Sequence, residues 1–208
     1  MNPLIPFVGI PLAIFGAIML LARPAHAPVG VQRAPEKPRI ASPEVTRRID
    51  NRAYPGTVKE LAAKWSKVFG IGVSWIRSQA YAESKNVLRA KNEGSGAIGV
   101  MQILPSTARD LLKSLKRSKH MKNQSVKETL EIEPTEDYLY NPDVNIMLAT
   151  YYMKLLKNKF GDDHDLVAAA YNIGPGRIAR CLATQSPLPE RSRIYIAMVK
   201  DAKRRGFV

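Results

Sequence analysis

From Thr57 onward, apolar positions recur at helical spacing over most of the chain. Val58, Leu61, Ala62, Trp65, Val68 and Phe69 form one such stripe before Gly70, the pattern by which a helix covers a core. Thr57-Val58-Lys59-Glu60 stands in front of it in the form of a capping box. A second helix is predicted over 73–83, with Trp75, Ile76, Gln79 and Ala80 turned inward. Gly94, Gly96 and Gly99 then interrupt the pattern and predict a turn-rich stretch with a short hairpin. Helical spacing resumes at Pro105 through Ala108, Leu111, Leu112 and Leu115, because proline is tolerated in a first turn. The polar segment from Lys113 to Glu136 carries no recognisable chemistry. Asn141-Pro142-Asp143 reads as a helix start, and the run to Phe160 is apolar on most sides, as a central helix would be. A short helix is predicted from Asp165 to Tyr171, ended by Gly174-Pro175-Gly176. The last, about 190–205, is expected to pack through Ile194, Tyr195, Ile196, Met198 and Val199. No long period-two alternation appears, so the expected fold is mainly α.

The residues before Thr57 follow different rules. No charged side chain occurs before Arg23, and Leu4 to Leu21 is almost wholly apolar. Residues 1–27 therefore read as a secretory signal ending at Ala25-His26-Ala27, or as an uncleaved membrane anchor. The cleavage pattern favours export, whereas the basic residues that follow the apolar run favour the opposite orientation. Residues 28–55 are rich in proline and basic residues and poor in large apolar ones, the composition of an extended linker. That leaves 56–208 as the folded unit.

Three segments of this unit carry candidate chemistry. Glu83 lies in Ala80-Tyr81-Ala82-Glu83-Ser84, where an apolar helix pattern runs out. A carboxyl half in a core and half in a cleft has its pKa raised toward the range useful for proton donation. Downstream stand Gly96-Ala97-Ile98-Gly99-Val100-Met101-Gln102-Ile103-Leu104-Pro105-Ser106-Thr107-Ala108 and then Ala169-Ala170-Tyr171-Asn172-Ile173-Gly174-Pro175-Gly176. In this order the three resemble the transglycosylase domain of soluble-type lytic transglycosylases, over about Thr57 to Val208. The resemblance implies a lysozyme-like helical domain acting on peptidoglycan.

It also implies roles. Glu83 would be the catalytic acid, protonating the oxygen between N-acetylmuramic acid and N-acetylglucosamine. Gln102 would orient sugar substituents, Met101 would form an apolar wall, and Tyr171 and Asn172 would stand near the acid or the acetamido group. Ser84 and Ser95 are further candidates. The match is imperfect between the first two segments: Lys85-Asn86-Val87 replaces a common Asn-Pro pair, and Glu93 occupies a position that is often serine. Glu93 thus opens a rival reading, a hydrolase like goose-type lysozyme in which a second carboxylate activates water.

Composition narrows the remaining choices. A single cysteine, Cys181, excludes an internal disulfide, and its setting in Arg177-Ile178-Ala179-Arg180-Cys181-Leu182 reads as helical, with the thiol as a small buried hydrophobe. The three histidines are scattered without ligand spacing, so no metal or cofactor is expected. Net charge is +14, with basic residues concentrated at 113–122 and 200–205. Such charge suits an anionic cell-envelope surface. Nucleic acid is not expected, since the basic segments lack interleaved aromatics. The resulting expectation is an exported or anchored envelope enzyme, serving wall turnover or a secretion, conjugation or phage apparatus. A non-catalytic wall-binding protein is the other alternative.

Overall fold

The computed structural model describes residues 57–130 and 136–206; the apolar segment at 1–27 and the linker at 28–55 lie outside them. Helix α1, Val58–Phe69, begins at the expected capping box. The Thr57 hydroxyl accepts from the Glu60 amide, and the Glu60 carboxylate accepts from the Thr57 amide at 2.7 Å. It ends at Gly70, whose φ of 69° is left-handed. Helix α2, Val73–Ser84, follows, then an antiparallel hairpin of β1, Lys91–Asn92, and β2, Ala97–Ile98, with Lys91 opposite Ile98. Helix α3 spans Pro105–Lys116, with the proline in its first turn. A 3-10 turn at Lys119–Lys122 and α4, Gln124–Leu130, occupy the polar segment, and α5 is Glu136–Leu139.

Helix α6, Pro142–Phe160, starts where Asn141 accepts from the Asp143 amide, and most of its residues from Val144 to Leu156 are buried. It packs against α1, α3 and α7, His164–Ile173. A helix apolar on most of its faces has to be enclosed in this way. Asp143 ties its first turn to α1 by accepting from Trp65 Nε1 at 2.7 Å and Lys64 Nζ at 2.6 Å.

The C-terminal part departs from expectation in two places. The Gly174-Pro175-Gly176 turn opens directly into α8, Pro175–Ala183, the helix expected around Cys181, with Gly174 at φ 90°. Cys181 on that helix is only half-buried. In α9, Glu190–Arg204, the inward stripe is Ser192, Tyr195, Val199 and Ala202. Ile194 and Met198 sit one residue, about 100°, away from it and are 55% and 39% exposed. Adjacent apolar residues cannot all face one side of a helix. The stripe on α9 packs against α2 and α7, and this contact builds the site.

Candidate active site

Glu83 is the last residue but one of α2, which ends at Lys85 in a left-handed turn. Tyr195 on α9 lies against it, and the phenol donates to Glu83 Oε1 at 2.5 Å. Burial pushes the Glu83 carboxyl up to about 7, while the Tyr195 hydrogen bond and the positive charge of Arg191 pull the other way. The C-terminal end of a helix is also a poor place for an anion, because the unpaired carbonyls carry partial negative charge. Near neutral pH the group is therefore poised between acid and base.

The segment after β2 forms the adjoining wall. Ile98 and Ile103 exchange both backbone hydrogen bonds at 3.0 Å, closing a tight turn in which Gly99 has φ 79° and Gln102 φ 47°. Ser84 pins this turn to α2, its hydroxyl donating to the Val100 carbonyl at 2.8 Å. The Gln102 amide donates to the Gly99 carbonyl at 2.9 Å and the Ala90 carbonyl at 3.4 Å. Its donors are thereby committed to the loop, which leaves Oε1 as its acceptor.

Met101 differs from the expected apolar wall of a cleft. Its side chain is fully buried in the main core, because the turn directs it inward, and the position contributes its backbone. The Met101 carbonyl accepts from the Tyr171 hydroxyl at 2.9 Å, and its amide donates to Asn145 Oδ1 at 2.8 Å. Asn145, wholly buried on α6, also donates to the carbonyls of Ile98 and Leu139, each at 3.0 Å.

Tyr171 stands at the end of α7 with its ring 5.3 Å from that of Tyr152. Burial first, and then the negative charge of Glu83, push its phenol well above the ordinary range. Tyr195 behaves in the same way for the same first reason. Both phenols are thus neutral donors within the electrostatic reach of one carboxyl. Neighbouring Asn172 is partly buried, with an Oδ1 that has no hydrogen-bond partner among the described residues, a polar atom in want of a donor. Ser95 is exposed in the hairpin turn, where its hydroxyl accepts from the Ala97 amide at 3.3 Å. Glu93 is at the same tip, 83% exposed and 3.7 Å from Lys91.

The structure thus gathers Glu83, Ser84, Gln102 and Tyr171 around the α2 terminus and leaves Ser95 at the hairpin tip. Sequence reasoning placed Tyr195 among packing residues and passed over Asn145. The available signals were a buried phenol, which needs a hydrogen-bond partner, and the one amide within the buried stretch 144–151 of α6.

A carboxyl poised near neutrality beside a neutral phenol can give a proton to a leaving oxygen and then be held as the anion. Because the Tyr195 hydrogen bond favours the anion, Tyr195→Phe is expected to raise the Glu83 titration midpoint further. Carbon-13 NMR of the labelled carboxyl would check this; an unchanged midpoint would mean that the bond is not formed in solution.

A family model, the transglycosylase SLT domain, matches residues 60–193. The soluble lytic murein transglycosylase of Salmonella typhimurium is 25% identical over 160 residues, which are 74% of this chain and 22% of that protein. A putative soluble lytic murein transglycosylase of Haemophilus influenzae is 30% identical over 66% of this chain and 21% of its own length. The chain therefore spans about a fifth of the length of these relatives. Among solved structures, the 70 kDa soluble lytic transglycosylase of Escherichia coli superposes with a TM-score of 0.60 at 25% identity, covering 79% of this chain and 26% of that one. An inactive mutant of the Pseudomonas aeruginosa enzyme Slt gives 0.56, also at 25%, over 70% and 23% of the two chains. With the mainly helical fold and the hairpin in common, and with the match covering residues 60–193, more than half of the chain, the chain belongs to the transglycosylase SLT domain family.

Proposed function

We propose that this chain is a peptidoglycan lytic transglycosylase that cleaves the β-1,4 bond between N-acetylmuramic acid and N-acetylglucosamine with Glu83 as its single acid and base. The observation that carries this reading is the half-buried Glu83 carboxyl, raised to about 7 and held by Tyr195 at 2.5 Å. Protonated Glu83 gives its proton to the glycosidic oxygen as the bond to C1 breaks, and the substrate's 2-acetamido group stabilises the positive charge at C1. The Glu83 anion, held by Tyr195, then removes the proton from the muramoyl 6-hydroxyl. That oxygen closes on C1, leaving a 1,6-anhydro end, and Glu83 is protonated again. No water is consumed. Gln102 Oε1, with its own amide committed to the loop, accepts from a sugar hydroxyl or acetamido N–H.

Most glycosidases place a second carboxylate close to the first. Glu93 is the candidate by sequence, and its exposure and pairing with Lys91 support the single-acid route over a goose-type hydrolase. The substrate implies an enzyme working in the cell envelope. Purified peptidoglycan digested with the wild type and with Glu83→Gln, followed by mass spectrometry of the released ends, tests the proposal. Anhydromuramoyl ends that disappear in the variant are expected. Reducing ends would assign a hydrolase instead, and undiminished cleavage by Glu83→Gln would remove Glu83 from the acid role.

A further inference from the structure

The fold leaves a strongly charged surface that the chemistry at Glu83 does not use. Lys113, Lys116, Arg117, Lys119, Lys122 and Lys127 follow one another with no acidic residue between Asp110 and Glu128, and all six are exposed. They run from the last turn of α3 through the 3-10 turn into α4. Carboxylates elsewhere pair with Lys64, Lys91, Lys157, Lys200, Arg204 and Arg205, and none among the described residues pairs with these six. Helix α3 has 12 residues, so its length of about 18 Å separates this basic strip from the Gln102 turn at its other end. The strip is therefore apart from the Gln102 turn beside Glu83.

We infer that this strip is an accessory docking surface for the carboxylates of peptidoglycan stem peptides, an inference that rests on the proposed substrate. The chemistry of the strip selects among polyanions. No large apolar side chain is exposed along it: among the described residues the exposed ones are Val87, Leu104, Leu182, Ile194 and Met198. A surface that inserts into a bilayer interface needs such groups among its basic ones. It has no exposed aromatic platform either, since Phe69 and Tyr151, which flank His120, are buried, and single-stranded nucleic acid is held by stacking. What remains is a row of flexible ammonium groups with a single guanidinium. Lysines act as point charges without bidentate geometry, which suits mobile carboxylates spaced along a mesh. Docking of this kind raises the local concentration of glycan strands at the cleft and weakens with salt as charges are screened.

The test is retention on purified peptidoglycan sacculi, using the full chain with Glu83→Gln throughout so that the polymer stays intact. Lys116→Gln, Arg117→Gln, Lys119→Gln and Lys122→Gln together are expected to weaken binding about tenfold at low salt. A control with Lys59, Arg180, Arg193 and Lys203 changed to Gln, equal in charge but elsewhere on the surface, is expected to lose less than about twofold. Sacculi whose carboxylates are blocked by amidation are expected to bind the unaltered strip as weakly as native sacculi bind the strip variant, a measurement independent of how that variant folds. Equal loss in strip variant and control, or undiminished binding to amidated sacculi, would overturn the inference. So would strip-dependent binding to anionic phospholipid vesicles or duplex DNA that is tighter than binding to sacculi. The anhydromuramoyl assay reads the chemistry at Glu83 separately, so failure of docking leaves that reading intact.

Discussion

Replacing Glu83 with glutamine is expected to abolish glycan cleavage and at the same time to stabilise the fold above neutral pH. The first effect follows from losing the proton that the leaving oxygen needs, a contribution of about 100- to 10,000-fold for a positioned acid. The second follows from linkage. Burial raises the Glu83 carboxyl from 4.5 to about 7, so between these values the folded protein holds a proton that the unfolded chain has released. Stability then falls as pH rises through this window and reaches its full loss above about 7. Glutamine is neutral at every pH, of the same shape as the protonated acid, and still offers an oxygen to Tyr195. The variant and the wild type should therefore have the same stability near pH 4. They should diverge to about 2 kcal/mol in favour of the variant near pH 8, a figure reduced for the partial solvation of the site. Urea unfolding at the two pH values checks the sign, and equal stability at pH 8 would show that Glu83 carries no burial penalty. The same titration gives cleavage an alkaline limb near 7, since only the protonated enzyme can begin the reaction.

How far the sequence foretells this site depends on distance along the chain. The capping box at Thr57, the stop at Gly70 and the restart at Pro105 are local, and each was legible because the residues that satisfy one another lie within one turn. Tyr195 and Glu83 are 112 positions apart, and nothing in the spacing of either helix pairs them. Helix α9 illustrates the difficulty, because Ile194, Tyr195, Ile196, Met198 and Val199 are all apolar or aromatic, so composition alone does not fix which face turns inward. Packing against α2 and α7 chose Tyr195 and Val199, and so placed the phenol on Glu83 while leaving Ile194 in solvent. Met101 misled for the opposite reason. The motif marks the position as part of the site, but the backbone is what the site uses there, and side-chain chemistry does not report that.

The largest loss of stability is expected at Gly99, and its cause is Asn145. A Cβ at Gly99 would lie 2.3 Å from Asn145 Nδ2, 2.5 Å from Asn145 Cγ and 2.5 Å from the Leu139 carbonyl oxygen, on a backbone whose φ of 79° already disfavours any side chain. The amide cannot swing away without releasing the Met101 amide and the Ile98 and Leu139 carbonyls, and the carbonyl belongs to another backbone segment. Gly99→Ala should therefore cost about 4 kcal/mol, a large part of a typical domain's stability. Asn145→Ala should cost about 3 kcal/mol, chiefly by leaving the buried Met101 amide unpaired. The two losses should not add. Removing the Asn145 side chain eliminates two of the three close approaches, so the double variant should be less destabilised than the sum by about 1 kcal/mol or more. It should remain less stable than Asn145→Ala alone, because the Leu139 carbonyl is still in place. Urea unfolding of the four proteins measures the coupling, and strict additivity would refute the clash. Both substitutions also loosen the Val100 and Met101 carbonyls that hold Ser84 and Tyr171. Cleavage should accordingly fall even at temperatures where the variants remain folded, which makes the buried amide of α6 a support of the catalytic wall as well as of the core.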